Sequence, residues 1–303
     1  MILFSWDDII NNKDPNSKSF DYFSKNNCPN GTAITIGGFD GMHRGHQSLF
    51  NTVLSQRTGL LSTNKMHNMK ENKKGVSKVG IVTFLRSPRV KKQKDNFPGD
   101  LSTNKLRKEY FKKQGFDFCV LIDFSQDFSK IKGLDFLTVL RNSCSMQFLS
   151  VGTDFRCGRG LDTGVFEIKQ FCSQYGLQFV VCAEVLYNGM RISSSAVRSA
   201  VQQGKMLLAS DLLGYNYTLD GEAFKWRIDY TAKKKFESVT KTISAHKSDS
   251  LQVLPPAGTY PVDIAGFNTL LYVDTKYLHL EIPLEQARPA TVKKIEFIKY
   301  LKE

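Results

Sequence analysis

Short runs of β-branched and aromatic residues alternate with longer segments of helical period between residues 32 and 205. Five runs have the length and composition of buried strands, and in chain order they read TAITIG, VGIVTF, FDFCVLI, QFLSVG and LQFVVCA. This alternation predicts an α/β fold with a doubly wound parallel sheet. Sheets of that kind bind their ligands at the carboxyl ends of the strands.

The segments between these runs repeat apolar residues every three or four positions, as helices with one buried face do. They read RGHQSLFNTVLSQ, TNKLRKEYFKKQG, LDFLTVLRNS and GVFEIKQFCSQYG, and two of the four end at a glycine, a common residue after a helix C-terminus. Residues 61–78 carry no such period and few apolar residues, which predicts a surface loop before the second strand. An alternative is a basic flap over a phosphate site, continued by RSPRVKKQK at 86–94.

The pattern changes after LLGYNYTLDG, where proline and glycine bound short strand-like runs. These runs read LPPAGTYPVDI, FNTLLYVDT and KYLHLEIPL. They predict a second, smaller, β-rich domain, and we place the domains at 1–214 and 215–303.

The net charge of the chain limits the classes of molecule that it is expected to bind. Lys and Arg number 42 against 29 Asp and Glu, so the chain is cationic and favours nucleotides, nucleic acid or anionic lipid. The lysines are spread through a loop and helix ends and form no basic face interleaved with aromatic residues, so we predict no nucleic-acid partner. The first apolar run is too short for a signal peptide and no run approaches a membrane span, so we predict no membrane partner.

The cysteines indicate the cellular compartment. The six cysteines show no CxxC pair and no metal-ligand spacing, and most lie inside apolar runs. Free buried thiols are typical of a reducing compartment, and we predict a cytoplasmic protein.

The stretch GGFDGMHRGHQ at 37–47 follows the first predicted strand directly. A glycine-rich turn into a helix N-terminus can cradle a phosphate. If the helix begins near Met42, His43 and His46 lie one turn apart on one face and can donate hydrogen bonds to phosphorus-bound oxygens. The helix N-terminus lowers a histidine pKa, which favours a neutral donor. A zinc site is a weaker alternative, because no Cys or further His lies nearby.

GGFDGMHRGH resembles the GxFDGxHxGH signature of the HxGH nucleotidyltransferases and, within them, the prokaryotic FAD synthetases. VGTDFRCGRGLDTG at 151–164 resembles that family's VGxDFxFGxxxxG, and ISSSAVRSAVQQGKMLLASDLLG at 192–214 resembles its ISSTxIRxxLxxGxxxxAxxLLG. The stretch from LSTNKLRKEYF to IKGLDFL has the family's order of helix, strand and aromatic segment. The resemblance covers most of the first domain and implies a Rossmann-like fold and an FMN adenylyltransferase.

The resemblance also implies the site residues. The catalytic residues would be His43, His46 and Arg198. Those that bind ATP would be Gly37, Gly38, Phe39, Asp40, His43, Gly45, His46, Ser193, Ser194 and Arg198. Those that bind FMN would be Asp154, Phe155 and Arg156. From the residues themselves, Ser193 or Ser194 can cap a helix, with Arg198 expected on its exposed face a turn later. Mg²⁺ is expected with ATP, and no metal site on the protein is predicted.

The chain departs from the family pattern at three places. Gly38 stands where the family usually has Asn, and Cys157 takes the place of a phenylalanine. TFLRSPR replaces the family's TFxPHP and lacks the histidine expected near the flavin phosphate. We predict that Arg86 and Arg89 supply that FMN contact by charge.

The second domain resembles the β-barrel riboflavin kinase of bifunctional family members, through LPPAGTYPVDI and the final IEFIKYLKE. The place of the kinase's GxPTAN segment reads GEAFKWRIDYTAKKKFESVTK, and Glu281 is the candidate for its catalytic base. We predict a barrel without kinase activity. The alternatives are a bifunctional riboflavin kinase/FAD synthetase, nucleotidyl transfer to another phosphorylated acceptor, and a catalytically silent flavin or nucleotide sensor. The sequence predicts no oligomeric state.

Overall fold

The computed structural model describes residues 1–12, 14–57, 75–85, 97–124, 128–228, 240–283 and 292–299. Contacts divide the chain into two compact units. The first unit comprises Met1–Phe39, Gly45–Lys94 and Lys108–Val185, and the second comprises Asp40–Arg44, Asp95–Arg107 and Leu186–Glu303. This division concerns contacts and assigns no function to either part, so the domain boundary after residue 214 stays a prediction.

The strands of the first unit are β1 (Ile2–Ser5), β2 (Thr32–Ile36), β3 (Lys78–Phe84), β4 (Phe118–Ile122), β5 (Met146–Gly152), β6 (Arg156–Cys157), β7 (Thr163–Gly164) and β8 (Gln178–Cys182). The helices of the same part of the sequence are α1 (Trp6–Ile10), α2 (Lys18–Tyr22), α3 (Arg44–Leu54), α4 (Asn104–Lys113), α5 (Gly133–Ser143) and α6 (Val165–Gln174). The five strands and four helices predicted from the apolar pattern are all present.

Six of these strands form one parallel sheet in the order β1-β4-β3-β2-β5-β8. The predicted doubly wound α/β fold is therefore confirmed. The chain runs outward from β2 on one side and from β5 on the other, so the topological switch point lies between these two neighbours. Strand β1 was not predicted, because a four-residue run beside acidic residues carries too little periodicity.

The interior of the sheet explains why the apolar runs are nearly continuous. All five residues of β2 are buried, as expected of a parallel strand covered on both faces. Helices α5 and α6 bury one face each, through residues such as Leu140 and Ile168. Gly115 and Gly176, which follow α4 and α6, have φ of +88° and +66°, so the predicted glycine stops are confirmed.

The second unit contains α7 (Ser194–Gln202), α8 (Met206–Leu213) and the strands β9 (Leu186–Tyr187), β10 (Met190–Arg191), β11 (Thr218–Asp220), β12 (Arg227–Ile228), β13 (Thr240–His246), β14 (Gly258–Ile264), β15 (Phe267–Val273), β16 (Tyr277–Pro283) and β17 (Lys294–Phe297). Seven of the strands form an antiparallel half-barrel in the order β11-β17-β14-β15-β16-β13-β12. Burial alternates along β15, where Leu271 is buried and Tyr272 is exposed. The predicted smaller, β-barrel-like region is confirmed.

The insertion predicted as a surface loop at 61–78 lies outside the described residues as far as 74. Its last residues are not loop: Val76 is buried and forms a parallel bridge with Arg57, and Lys78 begins β3. None of the six cysteines forms a disulfide bond, and five of them are buried. No helix in the described ranges has both the length and the apolar character needed to cross a membrane.

Candidate functional site

The switch point of the parallel sheet carries predicted site residues on both of its strands. Gly37 and Gly38 follow β2, and Asp154 lies exposed in the turn after β5. The hydroxyl of Thr83 donates to the carbonyl of Gly38 at 3.2 Å and holds the glycine turn against β3. The first unit therefore presents these residues where a doubly wound sheet binds ligands.

Phe39 turns its side chain into the core. The residue has φ of +46° and is 1% exposed. Its ring centroid lies 5.0 Å from that of Phe50 and 5.2 Å from that of His46, which meets it edge-on. The phenyl ring thus anchors the turn in the core. If Phe39 contacts ATP as predicted, the contact must come from its backbone.

The helix after the turn begins later than predicted. Helix α3 starts at Arg44, not near Met42, so His43 precedes the helix while Gly45 and His46 lie in its first turn. The reason is local, because Gly41 and Met42 have φ of +74° and +30° and cannot continue a right-handed helix.

Asp40 is the centre of a buried hydrogen-bond network in the second unit. Its Oδ1 accepts from the backbone amides of Leu101 and Ser102, at 2.9 and 3.0 Å, and from the Ser102 hydroxyl at 3.2 Å. Its Oδ2 forms an ion pair with the Arg198 guanidinium at 2.5 Å. The carboxylate therefore fixes the glycine-rich turn to two other parts of the chain.

Arg198 corrects an expectation from the sequence. We expected it on the exposed face of its helix, but it is only 8% exposed. Its Nε donates to the Gly99 carbonyl at 3.1 Å, and its guanidinium lies over the Phe97 ring, 5.3 Å from the centroid. Burial of a charged side chain requires compensation, which Asp40 and these groups supply. The catalytic and ATP-binding role of Arg198 stays a prediction.

The segment ISSSAVR meets the same turn. Ser193 is the N-cap of α7 and accepts a hydrogen bond from the Ala196 amide at 3.2 Å, so of the two predicted capping candidates Ser193 is the cap. Ser194 donates instead to the carbonyl of Asp40 at 2.9 Å. Two segments predicted to bind ATP, far apart in sequence, are thus joined through both the backbone and the side chain of Asp40.

Gly41 lies in the glycine-rich turn and is not among the predicted site residues. Its amide donates to the Ser102 hydroxyl at 3.1 Å, and its carbonyl accepts from the Tyr215 hydroxyl at 2.8 Å. A Cβ at this position would lie 2.6 Å from the nearest Leu101 side-chain atom. The signal was present as the glycine of FDGMH, because a positive φ with close packing against Leu101 requires glycine.

We expect Gly41→Ala to reduce the free energy of unfolding by about 2 kcal/mol, since it adds a left-handed alanine and a clash with Leu101. Gly38→Asn is the matched control: its φ is not positive and nothing lies within 4 Å of the added Cβ. Urea unfolding should place the control within about 0.5 kcal/mol of the wild type. Equal losses in both variants would show that the turn does not discriminate between them.

His43 is buried, and its environment keeps it neutral. Burial, and to a smaller extent the positive charges of Arg191 and Arg198, lowers its pKa to about 4. At neutral pH the imidazole therefore carries one N–H and no charge. It can donate a single hydrogen bond without repelling the nearby guanidinium groups.

The depressed pKa predicts a pH dependence of stability. Unfolding returns His43 to its ordinary pKa of 6.5, so the unfolded chain binds a proton that the folded chain refuses as the pH falls from 6.5 towards 4. We expect His43 to account for a loss of about 2 kcal/mol between pH 7 and pH 5. Urea unfolding of the wild type and His43→Asn across this range measures it, and parallel curves would refute it.

The predicted FMN residues lie in the first unit, after β5. Phe155 is half-buried and packs against the core of the α/β sheet. Arg156 is exposed, and its Nε donates to the carbonyl of Leu161 at 2.9 Å, so it closes the loop that follows. Arg86 and Arg89, the other two predicted FMN contacts, lie outside the described residues.

Two further expectations concern kinase chemistry and metal binding. Glu281 lies exposed on β16, and residues 229–239 of the segment that replaces GxPTAN lie outside the described residues. The described ranges hold no group of three His, Cys, Asp or Glu close enough to bind a metal ion.

The family model and the similar proteins point to one family. The family model described as FAD synthetase matches residues 25–196. The bifunctional riboflavin kinase/FMN adenylyltransferase of Escherichia coli (strain K12) is 27% identical over 240 residues, 78% of this chain and 69% of that protein. The FAD synthetase of Listeria monocytogenes serovar 1/2a is 24% identical over 189 residues, 62% of this chain and 70% of that protein.

A solved structure described as a macrolide-efflux protein from Streptococcus pneumoniae superposes with a TM-score of 0.64. The match covers 88% of this chain and 91% of that one, at 17% sequence identity. At that identity the likeness establishes the fold alone.

Proposed function

The chain belongs to the FAD synthetase family, and on that premise we propose that it is an FMN adenylyltransferase, which transfers AMP from ATP to FMN. The observation that carries the proposal is the junction at Asp40. The glycine-rich turn and the start of α7 are joined there by the Ser194 hydroxyl and the Arg198 guanidinium. Both segments belong to the motifs through which nucleotidyltransferases hold a triphosphate.

In the proposed reaction an oxygen of the FMN 5′-phosphate attacks the α-phosphorus of ATP. A new P–O bond forms as the bond to the β-phosphate oxygen breaks, and pyrophosphate leaves with that electron pair. The attacking phosphate is already an anion, so no general base is needed. Catalysis then depends on positioning and on donors that meet the growing charge, and Mg²⁺ enters bound to the ATP phosphates.

We assign the donor role to His43 and His46. A neutral His43 donates through its one N–H, which suits a donor that must bind phosphoryl oxygens without giving up its proton. His46 lies in the first turn of α3, where the amides of the helix N-terminus also favour an anion. The backbone of the turn from Gly37 to Asp40 is proposed to receive the adenine nucleotide.

The leaving pyrophosphate is assigned to the N-terminus of α7. Ser193 accepts from the Ala196 amide, which leaves its hydroxyl proton to donate to a phosphate oxygen. Ser194 directs its proton to Asp40 and contributes by fixing the turn. The Arg198 guanidinium is bonded to Asp40 and Gly99. We therefore propose that its positive charge stabilises the phosphates without direct contact.

FMN is proposed to bind to the segment after β5, with Asp154 as a polar contact, the Phe155 ring beneath the flavin and Arg156 at the loop. Arg86 and Arg89 are proposed to supply charge to its phosphate. The half-barrel is proposed to lack riboflavin kinase activity because the Pro-Thr-Ala-Asn sequence is missing. Six cysteines outside disulfide bonds support a cytoplasmic location.

A product assay tests the proposal. The purified full-length protein is incubated with Mg²⁺ and ATP, once with FMN and once with riboflavin, and the flavins are separated by chromatography. FAD from FMN only is the expected result. FMN or FAD formed from riboflavin would show an active kinase and a bifunctional enzyme. No product from either substrate would overturn the proposal and favour another acceptor or a silent flavin-binding protein.

A further inference from the structure

The segment 99–103 forms several hydrogen bonds with the glycine-rich turn. The Leu101 and Ser102 amides donate to the carboxylate of Asp40, and the Ser102 hydroxyl accepts from the Gly41 amide. Arg198 closes the same set from the other side through the Gly99 carbonyl. The position of Asp40 therefore depends on where this segment lies.

One side chain from the loop before β14 fixes that segment. Gln252 is 4% exposed, and both the oxygen and the nitrogen of its side-chain amide form hydrogen bonds. Its Nε2 donates to the Leu101 carbonyl at 3.0 Å and to the Thr218 carbonyl at 2.9 Å. Its Oε1 accepts from the Asp220 amide at 2.7 Å. The backbone of Gln252 also forms a parallel bridge with Asp100.

Leu101 is thus held at both ends of its backbone. Its amide points to Asp40, and its carbonyl receives Gln252. Peptide groups are rigid, so fixing both groups of one residue sets the orientation of the segment between them. A chain of hydrogen bonds runs from the half-barrel, through Leu101, to the carboxylate that precedes Gly41.

We propose that Gln252 is a positioning residue for adenylyl transfer, which acts through Leu101 and Asp40 on the turn that carries His43. This inference rests on the proposed function. It gives the half-barrel a task in the transfer reaction that requires no kinase chemistry. Small displacements of a donor matter because a misplacement of about 1 Å can cost about 100-fold in rate.

The test compares two variants of Gln252 with a matched control. Gln252→Leu removes all three side-chain hydrogen bonds, and Gln252→Glu keeps the acceptor for Asp220 but loses the donor to Leu101. Thr269→Val is the control, because it removes another buried hydrogen bond of the half-barrel, from the Thr269 hydroxyl to the Glu281 carbonyl at 2.7 Å. Each full-length variant is assayed for FAD formation well below its melting temperature.

We expect kcat to fall by about 10- to 100-fold in both Gln252 variants, with a smaller change in KM for FMN. Hydrogen exchange at the amides of Leu101, Ser102 and Gly41 should accelerate in the same variants and stay unchanged in Thr269→Val. The proposal is overturned if kcat per folded molecule matches the control, or if exchange at these amides is unaffected.

The exchange measurement separates this inference from the proposed function. A wild-type protein that makes no FAD refutes the assignment of the reaction, and with it a role for Gln252 in that reaction. Accelerated exchange at Gly41 in the Gln252 variants would still show that this side chain positions the turn. Unchanged exchange would remove the structural basis of the inference, whatever the activity.

Discussion

Replacing His46 by alanine is expected to lower kcat for FAD formation by about 100- to 1000-fold while the affinity for ATP changes little. The imidazole is proposed to donate to phosphoryl oxygens whose charge grows only as the new P–O bond forms, so its loss falls on the transition state. Single-turnover rates and equilibrium ATP binding measure the two quantities separately.

Two variants make the result specific. His46→Gln keeps an N–H donor on a side chain of similar length and should recover part of the lost rate. His246→Ala, at the end of β13, removes an exposed histidine and should leave kcat unchanged. Equal losses of ATP affinity and kcat in His46→Ala would instead assign the ring a packing role, through its edge contact with Phe39.

Breaking the ion pair between Asp40 and Arg198 is expected to have the largest effect on stability. Their side chains are only 12% and 10% exposed, so removing one partner leaves the other charge buried and uncompensated. Asp40→Asn and Arg198→Met should each lower the free energy of unfolding by about 3 to 5 kcal/mol. Denaturant unfolding at neutral pH gives both values.

A double-mutant cycle isolates the pair. The Asp40→Asn, Arg198→Met protein should lose markedly less than the sum of the single losses, because neither charge remains. Arg198→Lys is the matched control: it keeps the charge but has one ammonium group in place of the two nitrogens that reach Asp40 and Gly99. Additive losses would mean that the two residues stabilise the protein independently.

The α/β sheet was predictable because each buried strand is a short apolar run and each helix repeats at three and four. Gly115 and Gly176 even marked two helix ends correctly. Strand β1 was not predictable, since its four residues acquire their role only by pairing with β4. The half-barrel was predictable as β-rich, but the pairing order of its strands depends on contacts that no local pattern encodes.

In the candidate site, too, local motifs were predictable and long-range contacts were not. The spacing of the motifs identified His43, His46 and Ser193 as candidates. Burial of Arg198 was not predictable, because its partner Asp40 lies 158 positions away and local helical periodicity cannot reveal it. Gln252 carried no signal at all, since its significance lies in a hydrogen bond to a residue 151 positions earlier.

Those separations also bear on how the protein is made. The second unit gathers residues from three stretches of the chain, and the third of them, Leu186–Glu303, is translated after the other two. During translation, the nascent loop at Asp40 must wait for Arg198 and then for the region of Gln252 before its partners exist. Chain elongation, rather than local propensity, then sets the moment at which the turn at Asp40 acquires its hydrogen-bond partners.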